Sequence, residues 1–338
     1  MARIRRTDTE APGWSRRGRG RGFEYRDERG RLITDEEKLG RIKALVIPPA
    51  WRRVWICPDP NGHLQVTGRD KAGRKQYLYH PKWRELRNRE RFEGILDFVH
   101  LLPDVRRWVA RDLKPKSLAR DSVLACAVRL LDVGSFRIGG EEYAEQNETY
   151  GLATMLKEHA KLNGKAVIFD YPGKHSQQIN VTIEDAAVHA LVTRLKRRRS
   201  GGPELLAYKR SGRWHDVRSD DINAYIKGLT DERFSAKDFR TWNATLLAAV
   251  HLASAEPDGD READVRNACE SVAAVLGNTP AVCREAYIDP RLFDAYVGGR
   301  SIREAMDALD DKRRDLFAVR EQLELAVIDL LGATARVR

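Results

Sequence analysis

Cysteine is scarce in this chain: Cys57, Cys126, Cys269 and Cys283 are the four in 338 residues, and they lie far apart. With no CxxC pair and no Cys/His ligand spacing, neither a zinc framework nor a disulfide-stapled scaffold is suggested. The four read as ordinary thiols of a reducing compartment. No apolar run approaches the roughly 20 residues that a membrane span needs. The Arg-rich start is followed by no apolar h-region, so it does not read as a secretory signal. No repeat with a period of about 20–50 residues is present. No Asp/Glu cluster accompanies the cations singled out below, which disfavours a metal-dependent nuclease. What the chain has in excess is positive charge: 61 Lys+Arg against 50 Asp+Glu leave a net +11. That balance favours polyanions, nucleic acid ahead of an anionic membrane surface. Hydrophobic residues make up 42%, enough to bury a core.

Residues 1–22 end in Arg16-Arg17-Gly18-Arg19-Gly20-Arg21-Gly22, a composition that opposes a packed core, and are expected to be a basic flexible tail. Residues 23–90 read as a small, mainly β domain with its linker. Strands are expected at 54–56, 64–67 and 75–79, with a helix at 35–45 capped by Thr34. The two prolines force Ile47-Pro48-Pro49-Ala50-Trp51 to be extended. Residues 91–338 read as a larger, mostly helical domain. Its helices fall near 96–109, 117–133, 184–198, 219–228, 236–254, 260–276, 279–286 and 311–331, and a β-hairpin covers 167–183. The expected class is therefore α+β.

Several segments of the larger domain carry chemistry when taken together. Cutting a phosphodiester without a metal requires an in-line nucleophile, fixed cations on the non-bridging oxygens and a proton for the leaving oxygen. Arginine suits the clamp, because its planar fork bonds two phosphate oxygens and keeps its charge. Arg137 lies in Ser135-Phe136-Arg137-Ile138-Gly139-Gly140, and the glycines allow close backbone approach to a ligand. Alone it reads as a helix-end arginine holding carbonyls. Lys174 sits at the tip of the hairpin, where a lysine is usually solvated but can also reach a leaving group. Arg240 lies one turn into the helix opened by Ala236-Lys237-Asp238-Phe239, with Lys237 on a neighbouring face. Asn278 follows Gly277 and precedes Thr279-Pro280, a turn or cap position. Tyr287 ends the next short helix; alone it is a packed tyrosine, and beside cations it is a nucleophile.

In order and spacing, these blocks resemble the active-site segments of type IB DNA topoisomerases, most closely the compact bacterial and poxvirus form. The likeness extends to Ile47-Pro48-Pro49-Ala50-Trp51, Pro60-Asn61-Gly62-His63 and Gly73-Arg74-Lys75-Gln76-Tyr77-Leu78-Tyr79-His80, and covers roughly residues 23–335. It implies a catalytic domain of the tyrosine recombinase/topoisomerase IB type. Tyr287 would form a 3′-phosphotyrosyl link, Arg137 and Arg240 would clamp the phosphate, and Lys174 would protonate the 5′-oxygen with Lys237 as a relay. Asn278 stands where viral and eukaryotic enzymes have a histidine, which fits a neutral donor to the phosphate. His175 stands where the poxvirus form has an acidic residue. The resemblance also implies no ATP, no obligatory metal and no other cofactor. It further implies duplex DNA as partner, contacts from Arg74, Lys75, Gln76, Tyr77 and Tyr79, and a monomer closing as a clamp at the nucleoid in the cytoplasm. By the period of two, Tyr77 and Tyr79 share one face of their strand. The run from Arg194 to Arg199 reads as a solvated helix end or a phosphate track.

Two other readings compete. A tyrosine site-specific recombinase shares the Arg/Lys/Arg/Tyr set but typically shows His-x-x-Arg where this chain has Lys237-Asp238-Phe239-Arg240. A non-catalytic duplex DNA-binding protein explains the charge but not the presence of all five residues Arg137, Lys174, Arg240, Asn278 and Tyr287.

Overall fold

The computed structural model describes residues 3–20, 22–71, 73–114, 117–140, 149–256, 259–309 and 316–335. The chain divides into two compact units, Met1–Arg91 and Phe92–Arg338, with the division falling inside a helix, Pro81–Leu113.

The smaller unit is an antiparallel sheet in the order β2-β1-β3-β4-β5. The strands are β1 (Trp14–Arg19), β2 (Gly22–Arg26), β3 (Arg52–Ile56), β4 (Leu64–Arg69) and β5 (Lys75–Tyr79), with helix α1 (Glu36–Ala44) between β2 and β3. Alternation sends Trp14, Val54, Ile56 and Val66 into one core with Ile33 and Ile42, and Leu78 packs against it. The first strand is a departure from expectation, because its six residues, Trp14–Arg19, lie within the stretch read as a flexible tail. Trp14 is buried and acts as an apolar anchor. The Arg16 guanidinium donates to the carbonyls of Ile47, Pro48 and Trp51 at 3.2, 2.9 and 2.7 Å, so a side chain read as free charge is a backbone staple. The cap of α1 is also shifted by one residue. Asp35, not Thr34, accepts the Lys38 amide at 2.9 Å, a stronger acceptor placed at the positive end of the helix dipole.

The larger unit is built round two buried helices. After α2 (Pro81–Leu113) comes α3 (Arg120–Gly134), in which Val123, Leu124, Ala125, Cys126, Ala127, Leu130 and Leu131 are all fully buried. Helix α6 (Ala236–Ser254) buries Phe239, Trp242, Ala244, Ala248 and Leu252. Such apolar helices exist only where other elements cover them on most sides. The cover comes from β6 (Ala160–Asn163), β7 (Ala166–Pro172) and β8 (Gln178–Ile183) in one antiparallel sheet, with α4 (Ala186–Arg197) and α5 (Ser219–Leu229). On the C-terminal side it comes from α7 (Arg261–Leu276), α8 (Pro280–Ala286), α9 (Pro290–Val297), α10 (Arg303–Asp307) and α11 (Leu316–Ala335). A short hairpin, β9 (Ala207–Arg210) with β10 (Arg213–Asp216), was not anticipated. Its strands are only four residues each, too short for an alternation to stand out.

A buried ionic node joins α2, α3 and α11. Arg106 holds Asp132 at 2.9 Å and Glu324 at 2.6 Å, and those two carboxylates are only 3% and 4% exposed. Burial alone would raise both carboxyl pKa values, but hydrogen bonds and charge from Arg106, with Arg320 behind it, outweigh burial and hold both below their ordinary 3.8 and 4.5. Arg106→Ala leaves two buried carboxylates to share Arg320 and is expected to cost up to about 3–5 kcal/mol in denaturant unfolding. Because the folded values lie below the unfolded ones, this stabilisation is complete above the unfolded values and is lost as pH falls through the folded ones. Wild-type stability should therefore drop more steeply below about pH 4 than that of Arg106→Ala. Parallel pH curves would remove the node as the cause.

Candidate active site

The Arg137 loop begins where α3 ends, with Ser135 in the left-handed region at φ 53°. Gly139 follows at φ 85°, a conformation that glycine adopts without strain. A Cβ on Gly151 would lie 2.5 Å from the Gly139 backbone, and the Leu152 and Ala153 amides donate to the Arg137 and Ile138 carbonyls at 2.8 and 2.7 Å. The close approach expected to serve a ligand is thus taken at Gly139 by the chain's own backbone. Gly140 faces open space.

Lys174 opens a single 3₁₀ turn at the tip of the β7–β8 hairpin, whose neck is closed by the Gly173 amide on the Gln177 carbonyl at 2.8 Å. The lysine is exposed. Helix α6 starts at a capping box, Ser235 with Asp238, which sets Lys237 in its first turn and Arg240 one turn in. Arg240 is 5% exposed, and its guanidinium donates to the Ser135 carbonyl and, at 3.0 Å, to the Leu276 carbonyl.

Helix α7 ends at Gly277, left-handed at φ 60°, and the chain turns through Asn278 into α8. The Arg137 guanidinium donates to the Gly277 carbonyl at 2.9 Å and to Asn278 Oδ1. Asn278 Nδ2 and Arg240 Nε are buried and have no hydrogen-bond partner among the described residues. Tyr287 caps α8, its amide on the Cys283 carbonyl at 3.0 Å. Its backbone is held from α6. Buried Thr245 accepts the Asp289 amide at 3.0 Å, its own proton shared between the Thr241 carbonyl at 2.9 Å and the Tyr287 carbonyl at 3.4 Å, while fully buried Asp289 pairs with Arg291 at 2.6 Å.

Arg137, Lys174, Lys237, Arg240 and Tyr287 line one cleft of about 400 Å³, together with Thr149 and Tyr150. Asn278 stands behind it on Arg137. The Arg240 guanidinium carbon and Lys237 Nζ lie 5.3 and 5.9 Å from the Tyr287 ring centroid. Burial alone would raise the Tyr287 pKa, but Arg240, Arg137 and Lys237 together bring it below 10. Tyr171, on β7, faces the same two arginines and is pushed up to about 12, because its deeper burial outweighs them. Of two phenols beside one pair of guanidinium groups, only Tyr287 is tuned towards its anion. Arg240 in turn is lowered, chiefly by burial and then by its neighbour Arg137, with Tyr287 acting in the opposite sense. Sequence reasoning missed Tyr171, Thr149 and Tyr150, since no periodicity or charge marks them. The one clue was proximity to segments already singled out.

The remaining candidates sit on the smaller unit. Lys75, Tyr77 and Tyr79 are exposed along β5, and the two tyrosines stack at 6.1 Å. Arg74 and Gln76 are engaged by Asp70 at 2.7 and 2.9 Å. The basic run after α4 is in part structural. Lys196 donates to the Lys157 and Ala160 carbonyls, and buried Arg198 to those of Glu204 and Leu205. Only Arg197 and Arg199 of that group are fully exposed.

A family profile described as the catalytic core of eukaryotic DNA topoisomerase I matches residues 80–296, and one described as the N-terminal domain of bacterial DNA topoisomerase IB matches residues 22–70. The chain belongs to the type IB DNA topoisomerases. DNA topoisomerase 1B of Acanthamoeba polyphaga mimivirus is 29% identical over 81% of this chain and 84% of its own length. DNA topoisomerase 1B of Vaccinia virus (strain Copenhagen) is 22% identical over 68% of this chain and 72% of its own. DNA topoisomerase 1 of Schizosaccharomyces pombe is 28% identical over 50% of this chain and 19% of its own. The recombinase and non-catalytic readings give way to this membership. No helix among the described residues is long and apolar enough to cross a membrane.

The Tyr287 environment yields a direct measurement. In a tyrosinate absorbance titration, the difference between wild type and Tyr287→Phe should show one phenol ionising below 10. Lys237→Ala should move that step upward, since it removes one of the cations favouring the anion. A difference spectrum that ionises above 10 in both backgrounds would show that burial, not charge, governs Tyr287.

Proposed function

We propose that Tyr287 is the nucleophile of this topoisomerase and that Arg137, Arg240, Lys174, Lys237 and Asn278 serve it. The observation that carries the assignment is geometric: half-buried Tyr287 lines the cleft with its ring within 6 Å of two cations, whose charge outweighs burial and lowers its pKa. The Tyr287 oxygen attacks the scissile phosphorus, the bond to the 5′-oxygen breaks, and a 3′-phosphotyrosyl link forms. Arg137 and Arg240 offset charge on the non-bridging oxygens. Arg240 Nε and Asn278 Nδ2, which have no hydrogen-bond partner among the described residues, would gain an acceptor in a bound phosphate. Lys174, exposed at the hairpin tip and lining the cleft, gives its proton to the departing oxygen, with Lys237, which lines the same cleft, as its relay. The free 5′ end swivels, and the reverse attack reseals the strand. The covalent link conserves the energy for resealing, so neither ATP nor an obligatory metal is required.

On the smaller unit, Lys75 and the Tyr77–Tyr79 pair meet DNA, with Arg74 and Gln76 exchanging Asp70 for phosphate or a base edge. The protein acts as a monomer that closes both units on duplex DNA as a clamp, working at the nucleoid in the cytoplasm. Exposed cations in both units support this reading.

The test is plasmid relaxation with EDTA and without ATP, followed by denaturant trapping. Both signs of supercoil should relax, protein should be found on the 3′ end, and Tyr287→Phe should fall to background. A 5′ adduct, or relaxation by Tyr287→Phe, overturns the nucleophile assignment. Lys174→Ala should slow cleavage by about 10²–10⁴-fold. A 5′-bridging phosphorothiolate, whose sulfur leaves without a proton, should restore the rate; no rescue removes Lys174 as general acid.

A further inference from the structure

Helix α11 begins well beyond the nucleophile, yet two of its side chains reach the segments that carry both active-site arginines. The helix docks by an apolar stripe, Leu323, Val327, Leu330 and Leu331, all buried. One turn apart on the same helix, Arg320 and Glu324 pair at 2.8 Å. Arg320 donates to the Asp132 carbonyl at 2.8 Å and to Asn243 Oδ1 at 2.7 Å, and pairs with the Asp132 carboxylate at 3.2 Å. Glu324 accepts the Trp242 indole N–H at 3.1 Å. Asn243 Nδ2 in turn donates to the Leu131 and Asp132 carbonyls at 3.1 and 3.0 Å.

The positions on the chain give these bonds their meaning. Leu131 and Asp132 lie in the last turn of α3, whose carbonyls lack partners within the helix, just before the loop that carries Arg137. Trp242 and Asn243 lie two and three residues after Arg240 on α6, and Arg240 itself holds the Ser135 carbonyl. Arg320 and Glu324 therefore set the spacing between the end of α3 and the start of α6, the separation that places two guanidinium groups on one phosphate. We infer that Arg320 and Glu324 are positioning residues for Arg137 and Arg240, so that the C-terminal helix tunes the cleavage step. Both residues also belong to the ionic node of α2, α3 and α11, so the positioning role is read from the cleavage rate of folded variants, not from stability. The inference rests on the roles proposed for Arg137 and Arg240.

The experiment is single-turnover cleavage of a duplex substrate, alongside non-covalent DNA affinity in the Tyr287→Phe background. Arg320→Ala should leave affinity within about 2-fold and slow cleavage by about 10–100-fold, the cost of misplacing a catalytic group by a fraction of an ångström to about 1 Å. Arg320→Lys should recover part of the rate. In an Arg137→Ala/Arg240→Ala background, adding Arg320→Ala should change the residual cleavage by less than about 2-fold, because both groups it places are gone. Additive losses in that background, or an unchanged rate for Arg320→Ala, overturn the inference. Should Arg320→Ala not fold, Arg320→Lys and Glu324→Gln, which keep the volume, carry the same comparison. A wild-type rate for Arg240→Ala alone would instead refute the proposed arginine role, a result distinct from additivity.

Discussion

A guanidinium buried inside the larger unit ties its active site together. Arg240 is 5% exposed, and it bonds the carbonyls of Ser135 and Leu276 while lying against the Tyr287 ring. Removing such a charge from water costs several kcal/mol unless acceptors replace the water. The carbonyls that do so belong to the ends of α3 and α7, where helix geometry leaves them without internal partners and gives them partial negative charge. One cation thus satisfies two helix ends, and in doing so fixes the loop of Arg137 and the turn of Asn278 about one point. In the proposed roles, the guanidinium groups that hold these carbonyls would turn to the phosphate when substrate arrives.

The contrast between the two phenols follows from this arrangement. Tyr171 and Tyr287 both feel Arg240 and Arg137, but Tyr171 lies on a sheet strand with its ring packed against Phe136, and burial dominates. Tyr287 sits on the last residue of a short helix at the cleft wall, where Lys237 adds a third cation. Which of two neighbouring tyrosines can act as nucleophile is decided by the balance of desolvation against charge, not by proximity to arginine alone.

Much of this was legible in the sequence where the signal is local. Helix α6 is bounded by a capping box and a continuous apolar pattern, and strand β5 alternates without interruption, so both were read with their observed limits. The candidate site residues were assembled through the resemblance of their blocks to type IB topoisomerases, since each alone reads as structural; the cleft that five of them share comes from the structure. What escaped depends on partners far away in the chain. Arg16 looks like tail charge until Ile47, Pro48 and Trp51 offer carbonyls, and Arg198 looks solvated until the Glu204–Leu205 backbone folds over it. Arg106, Asp132 and Glu324 are unremarkable singly, and Glu324 lies 218 positions from Arg106. Periodicity cannot report a charge whose meaning is set by a contact of that range.

The free protein also explains how such a site waits for its substrate without collapsing. Two arginines of like charge beside each other repel, as the effect of Arg137 in lowering Arg240 shows. Helix carbonyls and the Asn278 oxygen absorb their donors in the meantime. A phosphate carries a full charge where a carbonyl carries a fraction, so exchanging one for the other strengthens every charge-assisted bond at the site. The guanidinium planes need only retarget their forks, because the backbones that bear them are already pinned by Gly151, Thr245 and the ends of α3 and α7. In the proposed roles, preorganisation consists of holding cations in place with weak acceptors that a phosphate would displace, which would leave its binding energy available for charge that develops during cleavage.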